Sequence, residues 1–373
     1  MRKIILAGAV LIAVSLTANG AKRKARNPRW MKGKAPAAAA PAKAAKKRAG
    51  ASKPATPASP PRTGVEGRWS PEIKTALDDL ITRHGKASGN YDARHPPVVV
   101  MPWNRVCIVN DVGEAVFFRL VRRAEFKFDD EFWRLIPLVY GRQKTRAAYE
   151  QFAHLPRSIW MKQPHYHQYV KFSIKGYRDH CAKGGRKECR VYMAQLLRGF
   201  EEPEAMGYSR EVIKDQMARA LGTDLVAESE EDEYPFWEPA GIRHVPELRD
   251  LTKRLLDAGF DVWVVDADAQ PVLEEAVKDF GVDRSRAIGI RQSQERGRIS
   301  GKALKPIPIR GGKVEAVVSS TGRTPLLVIG GSADDFELMS HGSGLRLWID
   351  LGDPELKSLA LKSGWLVQPG FSP

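Results

Sequence analysis

Side chains suited to hold a metal or attack a substrate are sparse in this chain, with three cysteines and eight histidines in 373 residues. Cys107, Cys181 and Cys189 lack the paired spacing of a zinc site and are too few for a disulfide framework. Cys107 closes an apolar run and reads as a buried thiol. Cys181 and Cys189 flank the Gly184-Gly185 turn, where they either pair, as an oxidising compartment would allow, or remain two free thiols. His165 and His167 suggest a metal pair by proximity, but residues two apart do not share a helix face, so both read as ordinary polar residues. The isolated His180 reads the same way. The aromatics running from Phe132 to Trp237 could box a cationic substrate. At helical spacing they read as core.

The elements that must position any site begin near Trp69, where Pro71 opens a helix through Leu77, Leu80 and Ile81. Pro97 to Met101 is a β-branched run that predicts a buried strand, followed by a helix from Gly113 to Val121. A second unit has a helix over Val245–Leu256, a strand over Phe260–Val265 and a helix over Pro271–Phe280. A third strand, Leu326–Ile329, runs into Gly330-Gly331 and a helix over Asp334–Met339. Short hydrophobic strands alternating with helices predict an α/β fold on a doubly wound parallel sheet, with ligands at the carboxyl ends of the strands. The intervening residues are mostly helical in pattern and read as a cap over the sheet edge.

The formal charge of +16 is concentrated at one end. Residues 1–62 hold fifteen of the sixty Lys and Arg and none of the forty-four Asp and Glu, so the remainder is close to neutral. A fold that reads nucleic acid carries its own basic face, so the charge points to a basic tail and not to a nucleic-acid-binding domain. Arg2 and Lys3 precede an apolar stretch from Ile4 to Ala18, which reads as a secretory signal peptide over residues 1–20. It falls short of a comfortable membrane span of roughly 20 residues, so no transmembrane span is expected after its removal. The expected location is periplasmic or secreted. The charges from Lys22 to Arg29 disfavour translocation, which leaves an N-terminal anchor with a cytoplasmic domain as the alternative. Residues 21–65 are rich in Ala, Pro and Lys and bury too little apolar area to offset ordering entropy, so they are expected to be disordered. They read either as a tether to an acidic surface or polymer or as a solvated linker.

Several stretches in order carry a family resemblance: Cys107-Ile-Val-Asn-Asp-Val-Gly-Glu-Ala115, Gly241-Ile-Arg-His-Val-Pro-Glu247, Gly259-Phe-Asp-Val-Trp-Val-Val265, Ile288-Gly-Ile-Arg291, Gly312-Lys-Val-Glu-Ala316 and Gly330-Gly-Ser-Ala-Asp-Asp335. From about Trp69 onward the chain resembles haloacid-dehalogenase-like (HAD) phosphatases of the phosphoserine-phosphatase type, and more narrowly the exported branch similar to phosphorylcholine phosphatase. The resemblance implies a HAD-like Rossmannoid core over residues 66–125 and 241–373, with the helical cap over 126–240 inserted after the first strand–helix unit. It also implies an Asp nucleophile, an Asp acid/base two residues later and a bound Mg²⁺ that neutralises the gathering charge.

The chain departs from that pattern where the chemistry is done. In the implied register Pro102 stands at the nucleophile, Asn104 at the acid/base and Val106 at the following Thr. Proline offers no nucleophile, and an amide cannot exchange a proton near neutral pH as a carboxyl does. Asp266 stands where a Ser or Thr would bind phosphate, and a carboxylate repels a phosphate dianion unless a cation intervenes. Gly331 replaces a Mg²⁺ ligand, while Lys313 and Asp335 are retained and Lys313 and Ser332 remain as candidate ligand-binding residues. A hard divalent ion without first-shell carboxylates is held poorly, so no cofactor is expected. The leading expectation is a catalytically inactive phosphatase fold with a binding or scaffolding role. The alternative is a divergent phosphomonoester hydrolase that holds Mg²⁺ on a rebuilt site of Asp266, Asp268, Asp334 and Asp335.

Overall fold

The computed structural model describes residues 64–371. The residues read as a signal peptide and nearly all of those read as a basic tail lie outside the described residues. Val65, assigned to the tail by composition, is buried, and its amide donates to Asp78 Oδ1 at 2.7 Å, so the tail's boundary is corrected to before this residue.

Six strands form the main sheet: β1 (Val98–Met101), β2 (Asp261–Ala269), β3 (Ala287–Ile290), β4 (Leu327–Gly330), β5 (Leu345–Asp350) and β6 (Leu366–Pro369). All neighbours are parallel, in the order β6-β5-β4-β1-β2-β3. This is a doubly wound sheet, and its order reverses between β1 and β4, so the ends of these two strands and of β2 border the crevice where such sheets bind ligands.

Alternate side chains of each strand go to opposite faces, as the two-residue repeat dictates. Val99, Met101, Val262, Val264, Leu327 and Ile329 join the larger core, together with Leu77 of the helix Pro71–His84 and Leu251 of the helix Pro246–Asp257. Val98, Val100, Trp263, Val265, Val328 and Trp348 face the other way, onto Ala316, Val317, Leu338, Met339 and Ala360 of three further helices. Burial on both faces is why the central strands read as unbroken apolar runs.

Two element boundaries differ from the expectation, and both touch the site. The strand expected to stop at Val265 continues to Ala269 as β2, with its pairing to β3 slipping between Val265 and Ala269. Asp266 and Asp268 therefore lie inside a buried strand, which is tolerated because each has hydrogen-bond donors. The helix expected over Asp334–Met339 is a 3₁₀ turn, Ala333–Asp335, that passes into the helix Phe336–His341.

Between the helix Val112–Arg123 and β2 lie the helices Asp130–Leu135, Arg142–Phe152, Pro164–Gly184, Arg186–Gln195 and Glu202–Ala218, with a hairpin of Gly222–Val226 and Phe236–Ala240. The aromatics of this region pack on one another: Phe128 stacks on Tyr149 at 4.1 Å, and Phe152 meets Trp160 and Tyr169 at 5.0 and 5.5 Å. Most of them form core and not an aromatic box, while Tyr234 and Trp237 are largely exposed. His165 Nδ1 and His167 Nε2 donate locally, to Gln168 Oε1 and the Met161 carbonyl, and His180 stacks on Tyr140.

Cys181 and Cys189 are paired, which settles the choice left open by the sequence, and Cys107 is a buried free thiol. The bond spans a separation of eight residues and staples the helix Pro164–Gly184 to Arg186–Gln195. Closing so short a loop in the unfolded chain is worth about 2–3 kcal/mol. Urea unfolding with and without dithiothreitol should differ by that amount, and equal midpoints would show that the bond constrains nothing.

Candidate functional site

The parallel sheet brings the loops after β1, within β2 and after β4 to one edge. Pro102 is buried at the end of β1, and its carbonyl accepts the Cys107 thiol at 3.1 Å. Burial, and next the charge of Asp266, push that thiol well above its usual range, which keeps it an uncharged donor. Asn104 is buried and held at both ends of its amide: Nδ2 donates to Asp268 Oδ2 at 2.8 Å, and Oδ1 accepts from the Val112 amide at 2.9 Å. The Asn104 side chain thus ties β2 to the start of the helix Val112–Arg123.

Asp266 is met by backbone donors. Its Oδ2 accepts from the amides of Trp103 and Asn104 at 2.9 and 2.8 Å, and its Oδ1 accepts from its neighbour Ala267 at 2.7 Å. Successive amides of a turn form a concavity that favours an anion. Here the amides that follow position 102 receive a carboxylate of the protein itself.

Lys313 belongs to the first turn of the helix Gly311–Thr321. Its Nζ donates to Asp335 Oδ1 at 2.5 Å, and both side chains are buried. The other oxygen of Asp335 accepts from the amides of Gly331 and Ser332 at 3.0 and 2.9 Å and from Ser332 Oγ at 2.8 Å. Burial alone would raise the Asp335 carboxyl, but Lys313 and these donors hold it below the usual range. Burial would lower Lys313, and Asp335 followed by Asp266 outweighs it and raises the ammonium above its usual value. Lys313 and Ser332, the two candidate ligand-binding residues, are thus both engaged with Asp335.

The fit for a Mg²⁺ ion at this edge is poor. A Cβ on Gly331 would come within 2.8 Å of Val106 Cγ2, so Val106 fills space that a ligating side chain there would need. The four carboxylates of the rebuilt-site alternative each have separate partners: Asp266 the amides, Asp268 the Asn104 amide, Asp334 the Arg186 guanidinium and Asp335 Lys313. Among the described residues no group of three or more His, Cys, Asp or Glu is arranged to hold a metal.

One part of the site went unread in the sequence. Arg186 and Arg190 lie four apart on one face of the helix Arg186–Gln195 and reach from the inserted region into the strand-end loops. Arg186 pairs with Asp334. Arg190 is buried and donates to Asp111 Oδ1 at 3.1 Å and Oδ2 at 2.5 Å, lies 3.4 Å from Glu114 Oε1 and 3.6 Å from Asp268 Oδ1. Tyr177 completes the cluster by donating to Glu114 at 3.0 Å. Burial acts against the charge of Asp111, yet Arg190 prevails and keeps its carboxyl below the usual range. Asp268 goes the other way, since burial, then Asp111 and Asp266, push it well above the usual range. The only trace in the sequence is Asp111 at the N-cap with Glu114 three residues on.

A doubly wound parallel sheet, a mostly helical insertion after the first strand and helix, and motif positions 102, 266, 313 and 331 gathered at one sheet edge are what the resemblance implies for the fold. The fold is a doubly wound α/β fold. No family model matches the chain, and no curated protein matches it. Among solved structures it is similar to a conserved protein of unknown function from Anaerococcus prevotii, with a TM-score of 0.71 at 23% identity over 82% of this chain and 94% of that one. A HAD family hydrolase from Salmonella enterica serovar Typhi matches at a TM-score of 0.40 and 8% identity over 70% of this chain and 64% of that one. A probable phosphoserine phosphatase from Vibrio cholerae matches at 0.39 and 11% identity over 79% and 68%. The likeness to the Anaerococcus prevotii protein supports the fold alone.

Proposed function

We propose that this HAD-like phosphatase fold has given up phosphoryl transfer and serves as a binding or scaffolding protein. The observation that carries the reading is Asp266 seated on the amides of Trp103 and Asn104, because an anion cradle already filled by the protein's own carboxylate excludes a phosphate. The engagement of Lys313 with Asp335 supports it, as does the absence of a side chain at position 331. The separate partners of Asp266, Asp268, Asp334 and Asp335 weigh against a rebuilt Mg²⁺ site.

Export fits this reading, since the Cys181–Cys189 bond is of a kind that persists in oxidising compartments. The basic residues 21–65 then act as a salt-sensitive tether to an acidic surface or polymer, and deleting 21–62 should abolish that binding.

The cradle is tested by thermal unfolding of the full chain in orthophosphate. The natural chain should show no phosphate-dependent stabilisation beyond that of an equal ionic strength of chloride. Asp266→Ser frees the amides and leaves Lys313 nearby, so phosphate at about 100 times its dissociation constant should add about 2.7 kcal/mol. Stabilisation of the natural chain by phosphate with Mg²⁺ would overturn the reading.

A further inference from the structure

We infer that the turn at Pro137–Gly141 is a docking tip for an anionic lipid surface. The turn is a short 3₁₀ segment, Leu138–Tyr140, between the helices Asp130–Leu135 and Arg142–Phe152. Leu138 and Val139 are adjacent, and they are 61% and 80% exposed. Single exposed aliphatics are ordinary on a protein surface. Two in succession on a turn fixed from behind are not explained by packing.

The turn is held on three sides. Arg142 donates from Nε to the Ile136 carbonyl at 2.5 Å and from Nη2 to the Arg134 carbonyl at 2.8 Å. The Tyr140 ring stacks on His180 at 4.5 Å. The Tyr140 carbonyl rests against Gly176 of the helix Pro164–Gly184, at a spot where any Cβ would come within 2.6 Å of it. These contacts keep the backbone close to the helix while leaving the two aliphatic side chains outside.

The chemistry beside the tip selects the partner. A cleft of about 370 Å³ runs between the turn and the long helix, lined by Gln143, Lys144, Phe172 and Lys175. Lys144 lies over the Phe172 ring at 4.5 Å, and Lys175 pairs with Asp179. With Arg142 the surroundings carry three basic groups against the carboxylate of Asp179. A protruding apolar pair with a basic rim matches a bilayer interface: aliphatics enter the acyl boundary, and Lys and Arg meet anionic headgroups. A protein partner would instead need a pocket shaped to this tip.

The test uses the full chain with Val139→Cys labelled by an environment-sensitive NBD dye. Cys107 is buried and the other two cysteines are bonded to each other, so the introduced thiol is the accessible one. With phosphatidylcholine–phosphatidylglycerol vesicles the emission should rise and shift to shorter wavelength, and with pure phosphatidylcholine vesicles it should change little. In unlabelled protein, Leu138→Ser with Val139→Ser should weaken sedimentation with the anionic vesicles about tenfold, from lost apolar transfer, with circular dichroism unchanged. Sedimentation without a change in dye emission overturns the inference, because the basic N-terminal residues would then account for it. Absence of sedimentation overturns it too and leaves a protein as the partner of the tip. An equal rise on neutral vesicles overturns the role given to the basic rim.

Discussion

Replacing Arg190 with alanine should lower the unfolding free energy by about 3–5 kcal/mol, the range for breaking a buried ion pair from one side. Among the described residues Arg190 is the cation hydrogen-bonded to the buried Asp111, and it also lies against Glu114 and Asp268. Its removal leaves these carboxyl groups facing one another without a donor of matching charge. Burial would then push the Asp111 carboxyl up, as it does that of Asp268. Urea unfolding near neutral pH measures the loss. The variant pair Arg190→Met with Asp111→Asn should recover much of it, since removing both charges relieves the desolvation that either suffers alone. Arg210, whose partner Glu275 is buried but whose own side chain is largely exposed, is the control and should matter little. An Arg190→Ala effect no larger than that of Arg210→Ala would mean that the inserted helices are not fastened to the sheet through this group.

Lys313→Ala is expected to have a comparable effect, about 3–5 kcal/mol by the same reasoning, with a distinctive pH dependence. In the natural chain the Asp335 carboxyl is held below its unfolded value. Its contribution is therefore present above about pH 4 and is lost as the pH falls through the lower folded value. Without Lys313 the remaining dominant influence is burial, which raises the carboxyl instead. The sign then reverses: the variant should lose stability as the pH rises from about 4 toward neutrality, where an unpaired buried carboxylate must form. Unfolding midpoints of both proteins from acid to neutral pH check this. Parallel profiles would contradict the assignment of Lys313 to Asp335.

How much could be read in the sequence depended on burial. β1, the first part of β2 and β4 are uninterrupted apolar runs because both faces are covered, and each was legible. β5 contains Arg346 and β6 contains Gln368 and Pro369, and these strands at one side of the sheet gave no comparable signal. The hairpin Gly222–Val226/Phe236–Ala240 was hidden by Pro235, Pro239 and the acidic residues between its strands, a composition that reads as loop.

At the site, the departures of Pro102, Asn104 and Gly331 from the pattern that the resemblance implies are statements about residue type and need no coordinates. Asp266 was legible as a charge unfavourable to phosphate, but not as one satisfied by the amides of Trp103 and Asn104, because backbone donors leave no mark in the residue alphabet. Arg190 was missed for a related reason. In Arg186-Lys-Glu-Cys-Arg190 it sits among charged neighbours and looks solvent-facing, and only the fold turns it onto Asp111 and Asp268.

The central claim, that the edge of this sheet no longer transfers phosphoryl groups, is tested most directly by turnover. The full chain should be incubated with p-nitrophenyl phosphate and a panel of phosphomonoesters, after chelation and again after adding Mg²⁺. The release of phosphate should equal that of buffer under both conditions and should not scale with protein concentration. Release that appears with Mg²⁺, scales with protein and disappears in a folded Lys313→Ala variant would contradict the account.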